Sequence, residues 1–437
     1  MARYVIIGTG PAGISAAEAI RSQDSGGEIV LISAEPFGYY SRPGLAYVLT
    51  GEIPESSLYP FSKVDFQRLN LQLMYQQVTR IDPAAHQIFN QKKQLLRYDR
   101  LLIATGSQAA MPDLPGINLE GVVKLDDMQD ARRLMKLGRR GRTAVVIGGG
   151  ITALEILEGL HHRGVNVHYF LRGDRYWSNV LDEEESHIVE SRLKHEGVQI
   201  HYHTETAEII GKRGRVKGVR TTAGKVLKCD LVAIAIGVRP RLELARNSGL
   251  QTERGILVDE HLQTSHADIF AAGDAAQTYD PFTGKSVVET LWKPARQQGG
   301  VAGLNMSGRR EVYVKPPSFN VTRLAGLTTT IIGAVGSGRD ADLVGIARGD
   351  SESWRLLPES ISAQNLHEVN RLRLLVGETS LLGAVVMGDQ TLSRPIQDLV
   401  IHQVNITPIR ERLLAPQAPL TQILASFWRE THAAQQS

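Results

Sequence analysis

The sequence predicts an α/β fold: two successive units built on parallel sheets, with a smaller α+β domain at the C-terminal end. Three observations carry this. A chain of 437 residues is too long for one hydrophobic core and divides into two or three domains. Near its start, "RYVIIGTGPAGISAAEAI" (Arg3 to Ile20) runs an apolar stretch into closely spaced glycines and on into apolar residues at helical spacing. The stretch "RTAVVIGGGITALEIL" (Arg142 to Leu157) does the same about one domain later. In both, a parallel strand feeds a helix through a glycine turn.

Such a turn has a chemical use. Glycines let the backbone approach a pyrophosphate, which then lies over the unpaired N–H groups and positive dipole end of the helix. The first turn is Gly8, Thr9, Gly10, Pro11, Ala12 and Gly13. The next strand, "EIVLISAE", is expected to end at Glu35, about 20 residues on, where a carboxylate accepts hydrogen bonds from an adenosine ribose. In "YDRLLIATGSQA" an apolar strand stops at Ala104, Thr105 and Gly106, and the Pro-rich "MPDLPGINLEG" leads into the second unit. There the turn is Gly148, Gly149, Gly150, Ile151, Thr152 and Ala153, followed by the strand "VNVHYFL" and later by "CDLVAIAIGVRP" with Gly237. The segment "IFAAGDAA" then places Gly273 and Asp274 just past another apolar strand.

Composition narrows the classes. With 42% hydrophobic and 22% charged residues the chain reads as an ordinary globular protein. A balance of 49 basic against 46 acidic side chains gives no reason to expect a nucleic-acid partner. No apolar run has the length of a membrane span and no signal-peptide pattern opens the chain, so the expected location is the cytoplasm. Cys229 is the single cysteine, which excludes an internal disulfide and an iron–sulfur cluster held by this chain's own thiolates. It is read as a small buried residue at the start of a strand. "HYH" sets His201 and His203 on one strand face, but two imidazoles without a third ligand do not make a metal site, and no metal is expected.

Taken in order, "GTGPAG", "ATG", "GGGITALE", "AIGVRP" and "IFAAGDAA" resemble the two-dinucleotide flavoproteins that include the pyridine nucleotide-disulfide oxidoreductases, over about residues 3 to 310. The resemblance implies two Rossmann-like domains, the second inserted in the first: residues 1–112 and 245–322 for FAD, 113–244 for NAD(P)H, and 323–437 as a C-terminal α+β interface domain. It places Glu35 on the FAD ribose, Asp274 on its ribityl or pyrophosphate part, Ala104 to Gly106 along the cofactor, and the backbone of Val78 near the adenine. Glu155 would reach the nicotinamide pocket. Hydride would pass from nicotinamide to flavin, the protein supplying alignment and electrostatics.

The branch within this class follows from an absence. Where disulfide reductases carry a cysteine pair and NADH peroxidases and oxidases a single early cysteine, this chain has "EPFGYYSRPGLAYVLTGE" (Glu35 to Glu52) and no thiol. Electrons are therefore expected to leave the flavin directly. "YYSRPGLAYVLTGE" and "VAGLNMSG" resemble the rubredoxin and ferredoxin reductases and the flavin-containing front part of NAD(P)H nitrite reductase, as does the run up to about residue 414. This implies Arg42 and Pro43 close to the isoalloxazine. Nothing resembles a siroheme or iron–sulfur part. The acceptor is expected to be a small redox protein of the rubredoxin or ferredoxin type; the alternatives are a quinone reductase, an NAD(P)H oxidase, and a non-catalytic FAD/NAD(P)-sensing protein.

Further expectations are local. "LWKPARQQGGVAGLNMSG" reads as a helix starting near Pro294, its positive end towards the flavin, with Trp292 at the ring edge. No catalytic residue is fixed; Glu155, Trp292 and Arg42 are candidates. The strand after the second turn should end near Leu171, where an NAD-selective site usually carries an acid; here Arg172 and Arg175 follow, a pattern suited to a 2′-phosphate and hence to NADPH, with dual use as the alternative. "RLRLLVGETSLLGAVVMG" reads as a hairpin, and "LTQILASFWRE" puts Leu420, Ile423, Leu424, Phe427 and Trp428 on one helical stripe, expected to dock on the protein's own third domain or on a second subunit rather than on a membrane. Nothing fixes the oligomeric state, and a dimer is compatible with all of this.

Overall fold

The structure is a computed structural model and describes residues 1–91, 93, 95–335, 371–415 and 418–436. These residues form two compact units. The first comprises Met1–Phe170 and Thr204–Lys315; the second comprises Leu171–His203 with residues 316–335, 371–415 and 418–436.

Strand β1 (Arg3–Ile7) is central in the first unit's larger sheet. It pairs in parallel with Glu28–Ser33 on one side and Arg100–Ile103 on the other; Leu71–Tyr75 and Ile269–Ala271 complete five parallel strands. Both faces of β1 are covered, which is why it is apolar throughout rather than alternating. Tyr4 and Ile6 pack with the apolar side of helix α1 (Pro11–Gln23), while Val5 and Ile7 pack with Ile81, Ile88 and Leu242 on the opposite face. A second parallel sheet in this unit centres on β2 (Thr143–Ile147), flanked by Asn166–Phe170 and Leu231–Ile234, with Val122–Val123 beyond the latter. Helix α2 (Ile151–His162) follows β2 as α1 follows β1.

Helix α3 (Trp292–Met306) lies against α1 at glycine-limited distance. A methyl group on Gly299 would come within 2.0 Å of the Ala12 carbonyl oxygen, and one on Gly303 within 2.4 Å of that of Ala16. The glycines of "ARQQGGVAG" are therefore the contact itself.

In the second unit, Phe319–Leu324, Leu327–Gly333, Leu381–Met387 and Arg371–Val376 form an antiparallel sheet in that order. The last two make the hairpin around Gly377 to Ser380. Period-two alternation in "RLRL" explains their partners. Leu372 and Leu374 join the core cluster, whereas Arg371 bonds Asp182, and Arg373 bonds the fully buried Glu185 at 2.8 Å and 3.0 Å. Asp182 and Glu185 also form the capping box of helix Glu183–His195, so one acidic pair starts a helix and holds a strand.

Four expectations change. The second strand of the first sheet ends at Ser33, two residues before Glu35, because the Ser33 side chain turns back to the Glu35 carbonyl. Helix α3 begins at Trp292 rather than Pro294, since the first helical turn accommodates a proline beyond its first position as well. His201 and His203 do not share a strand face: the strand is Gln199–His201, and His203 has a left-handed φ of 47°. Cys229 sits between the strands Val226–Lys228 and Leu231–Ile234 rather than at the start of one.

The terminal helix α4 (Leu420–Gln436) packs within its own unit. Ile423, Leu424 and Phe427 are buried against Leu392, Ile396, Leu399 and Ile409, and the indole N–H of Trp428 donates to Asp398 at 3.1 Å. The apolar stripe is thus occupied by protein and not presented to a lipid surface. No helix among the described residues is long and apolar enough to cross a membrane. Because Leu424 is fully buried, Leu424→Ala should cost about 2–5 kcal/mol of stability in urea unfolding. Intact protein should not float with anionic liposomes; flotation that is lost on deleting residues 418–437 would contradict this packing.

Candidate functional site

The two glycine turns have the same local geometry. Gly8 has φ +121° and Gly148 φ +145°, conformations that side chains rarely adopt. A methyl group on Gly8 would lie 2.0 Å from the carbonyl oxygen of Ala104, and one on Gly148 2.0 Å from that of Ala235. Each first glycine thus lets its turn press onto the end of the neighbouring parallel strand. The next positions, Gly10 and Gly150, are the N-caps of α1 and α2 in extended conformation, and a methyl group on either would meet nothing within 4 Å. Each leaves a cradle open at a helix N-terminus. The third position packs: a methyl group on Gly13 would strike the Gly8 carbonyl at 2.0 Å, whereas the second turn accommodates Ala153 there.

The first turn opens into a cavity of about 580 Å³, in the size range of cofactor sites. Its wall brings together, from distant parts of the chain, most of the residues assigned from sequence to FAD. Gly8, Thr9, Gly10, Pro11 and Ala12 come from the turn, Glu35, Arg42 and Pro43 from the segment after the second strand, and Val78 from the start of Val78–Asp82. Ala104, Thr105, Gly106, Gly273, Asp274 and Trp292 complete this group. Gly13 is buried behind the turn. The second-turn residues Gly148, Gly149, Gly150, Ile151, Thr152 and Ala153, with Glu155 and Gly237, lie outside this cavity. Glu155 is buried on α2, 8% exposed, and is not a surface glutamate. Arg172 is an exposed residue of the second unit, and Arg175 there pairs with Asp174.

Charge along the cavity is organised in two places. The Glu35 carboxylate pairs with the Arg42 guanidinium and accepts a hydrogen bond from the Tyr40 hydroxyl at 2.8 Å. Burial, with Glu35 close by, pushes the Tyr40 phenol far above its ordinary range, so it stays a donor. Arg42 also donates to the Asp126 carbonyl. The side chains assigned to the ribose and to the isoalloxazine therefore meet in one ion pair, which sets Arg42 beside Glu35. Asp126 itself is buried, 2% exposed, and is balanced by Lys124 at 3.2 Å and Arg241 at 3.1 Å. Further along, Asp274 accepts from the Ser107 hydroxyl at 2.6 Å, and the Gly273 N–H donates to Gln298 of α3 at 2.8 Å.

Tyr40, Ser107, Asp126, Arg241 and Gln298 were not identified from sequence. Each has at least one partner distant in the chain, Met128 for Tyr40, Asp274 for Ser107, Arg241 for Asp126 and Gly273 for Gln298, and no short motif marks them.

An FAD-sized group fits this site on two observations. The space at Gly10 is a cradle that a methyl group would enter, at the N-terminus of α1. The Trp292 indole nitrogen at the wall is buried with no hydrogen-bond partner among the described residues, a donor for a bound acceptor. Cys229 lies outside the cavity wall, in the core with Val145 and Val232. Burial, reinforced by Asp230, pushes its thiol up to about 12. Two variants separate packing from binding. Gly8→Ala should fail to fold, as it drives a methyl group into the Ala104 carbonyl. Gly10→Ala should fold with an unchanged circular dichroism spectrum and purify with little flavin absorbance; full yellow colour would count against the cradle.

The model of the pyridine nucleotide-disulphide oxidoreductase family matches residues 2–299. A rubredoxin-NAD(+) reductase of Ectopseudomonas oleovorans is 28% identical over 388 residues, 88% of this chain and 99% of that protein. An NADH oxidase of Methanocaldococcus jannaschii is 32% identical over 335 residues, 74% of each. The assimilatory nitrate reductase electron transfer subunit of Bacillus subtilis is 26% identical over 418 residues, 95% of this chain; the match spans 51%, about half, of that longer protein. The fold is shared with a putidaredoxin reductase crystallised as a covalent complex with putidaredoxin, at a TM-score of 0.82 and 22% identity over 97% of this chain and 98% of that one. With two glycine turns of one geometry and a family match across both, the chain belongs to the pyridine nucleotide-disulphide oxidoreductase family and is an NAD(P)H-dependent flavin oxidoreductase.

Proposed function

We propose that this protein is an electron-transfer reductase that takes hydride from NADPH onto FAD and passes electrons directly to a separate one-electron carrier of the rubredoxin or ferredoxin type. The observation that carries the reading is the single thiol: Cys229 is 5% exposed, outside the cavity wall, and its thiol is raised to about 12. A protonated, buried thiol is not a nucleophile and cannot relay electrons. FAD, when bound, supplies the conversion of a two-electron hydride donor into single-electron output. The chain supplies the rest. Gly10 and the N-terminus of α1 would hold the pyrophosphate, Glu35, paired with Arg42, the ribose, and Asp274, oriented by Ser107, the ribityl or pyrophosphate part. Trp292, at the N-terminus of α3, would bound the ring. We assign FAD to residues 1–112 and 245–322, the nicotinamide nucleotide to 113–244, and interface duties to 323–437.

The acceptor class rests on similarity to a protein named for rubredoxin. The Methanocaldococcus protein named NADH oxidase supports a second reading, in which dioxygen takes the electrons. The choice of NADPH rests on residue types: the strand Asn166–Phe170 is followed by Leu171 and Arg172, with no acid to repel a 2′-phosphate.

Anaerobic addition of NADPH should bleach the flavin, and addition of a rubredoxin or ferredoxin should restore its colour. A flavin that neither nicotinamide reduces would overturn the enzyme reading, and oxygen uptake matching the rate of dye reduction would favour the oxidase. For the nucleotide, Arg172→Ala should lower the ratio of NADPH to NADH reduction efficiency by about tenfold, as loss of one charge-assisted pair implies. A wild-type ratio well below one would contradict the assignment.

A further inference from the structure

A second cavity, of about 280 Å³, lies at the opposite end of β2 from its glycine turn. Arg142, which lines it, directly precedes Thr143, whereas Gly148 directly follows Ile147. Five strand residues separate the two ends by about 16 Å. Gly121 and Asp230, just before the strands Val122–Val123 and Leu231–Ile234, also line it. The cavity is therefore at the amino-terminal edge of the parallel sheet, whereas dinucleotides bind at the carboxyl edge.

Its chemistry is one-sided. Lys136, Arg139, Arg142, Arg215 and Lys217 face two carboxylates, Glu120 and Asp230. Glu120 is spent on Arg215 at 2.9 Å, and Asp230 accepts from the Thr143 N–H at 3.0 Å. Lys136, Arg139, Arg142 and Lys217 have no ion-pair partner among the described residues. These five cations and two carboxylates leave a formal +3 at the cavity, equal to the +3 of the whole chain, so the remaining residues are formally neutral. Two of the guanidiniums are held in place. Arg139 donates to the Lys136 carbonyl at 3.0 Å and Arg142 to that of Leu137 at 3.0 Å, both at the end of helix Met128–Leu137. Each of these contacts uses one of five donors in a rigid fork, and the others are free for a ligand. Leu137 and Val216 are the apolar lining, and no aromatic side chain is present for a base to stack on.

We propose that this cavity binds a small polyanion carrying at least two phosphate groups and no nucleobase requirement, at a site separate from both dinucleotide turns. The volume takes two adjacent phosphates, and four cations without an ion-pair partner among the described residues line it, the charge that anion recognition requires. Flanking carboxylates, by contrast, repel a ligand at their own side and set its position.

The test uses full-length, FAD-loaded protein and inorganic pyrophosphate, titrated calorimetrically at low salt. Binding is expected in wild type, at least tenfold weaker in the Arg142→Gln/Lys217→Gln double variant, weaker at higher salt, and unchanged by saturating NADP+. Orthophosphate should bind at least tenfold more weakly than pyrophosphate. Should the double variant fail to fold, Lys217→Gln alone, at an exposed position, should weaken binding several-fold. Absence of binding, equal affinity in the variants, equal affinity for orthophosphate, or displacement by NADP+ would each overturn the proposal; the last would assign the anion to the second glycine turn. None of these readouts depends on flavin reduction.

Discussion

Everything near the larger cavity depends on backbone pressing on backbone where no Cβ can stand. Gly8 lies against the Ala104 carbonyl, Gly13 against that of Gly8, and Gly299 against that of Ala12. These contacts fix β1, α1 and α3 as one block, with both helix N-termini at the cavity wall. Replacing any of these glycines by a larger residue would force carbonyls apart by more than a well-packed core can absorb. The space beside Gly10 exists because its neighbours are held this closely. The second turn repeats the arrangement at Gly148 and Ala235 but relaxes the third contact to Ala153.

Around this block the charges are paired in advance. Asp126, deep in the wall, would be costly unpaired; Lys124 and Arg241 balance it. Arg241 also donates to the Thr105 carbonyl at 3.2 Å, tying the chain that returns after Val238–Pro240 to the strand end that the cavity uses. Glu35, Arg42 and Tyr40 form a second set, joined to the first where Arg42 donates to the Asp126 carbonyl. Such prepaired charges would present oriented dipoles to a bound cofactor.

The local features were legible from the sequence because they are local. A strand, a glycine turn and a helix occupy about twenty consecutive residues, and the hydrophobic period names each part. The stripe of α4 was legible for the same reason, and its burial against Leu392 and Ile396 follows from its amphipathicity. Tyr40, Ser107 and Arg241 were not legible. Tyr40 meets Met128 across 88 residues, Arg241 meets Asp126 across 115, and Ser107 meets Asp274 across 167. Only the fold brings such pairs together. The pairing of Arg42 with Glu35 was hidden differently: both residues were singled out, but for separate tasks, and rotamers seven residues apart decide that they meet.

The central claim is that electrons leave the flavin without passing through a thiol. Its most direct test compares steady-state electron transfer from NADPH to a rubredoxin or ferredoxin in wild type and Cys229→Ser at matched flavin content. Equal turnover within about twofold is the expected result, since the thiol is buried outside the cavity wall and held protonated. A loss of tenfold or more, with flavin reduction by NADPH intact, would place Cys229 on the electron path and contradict the account.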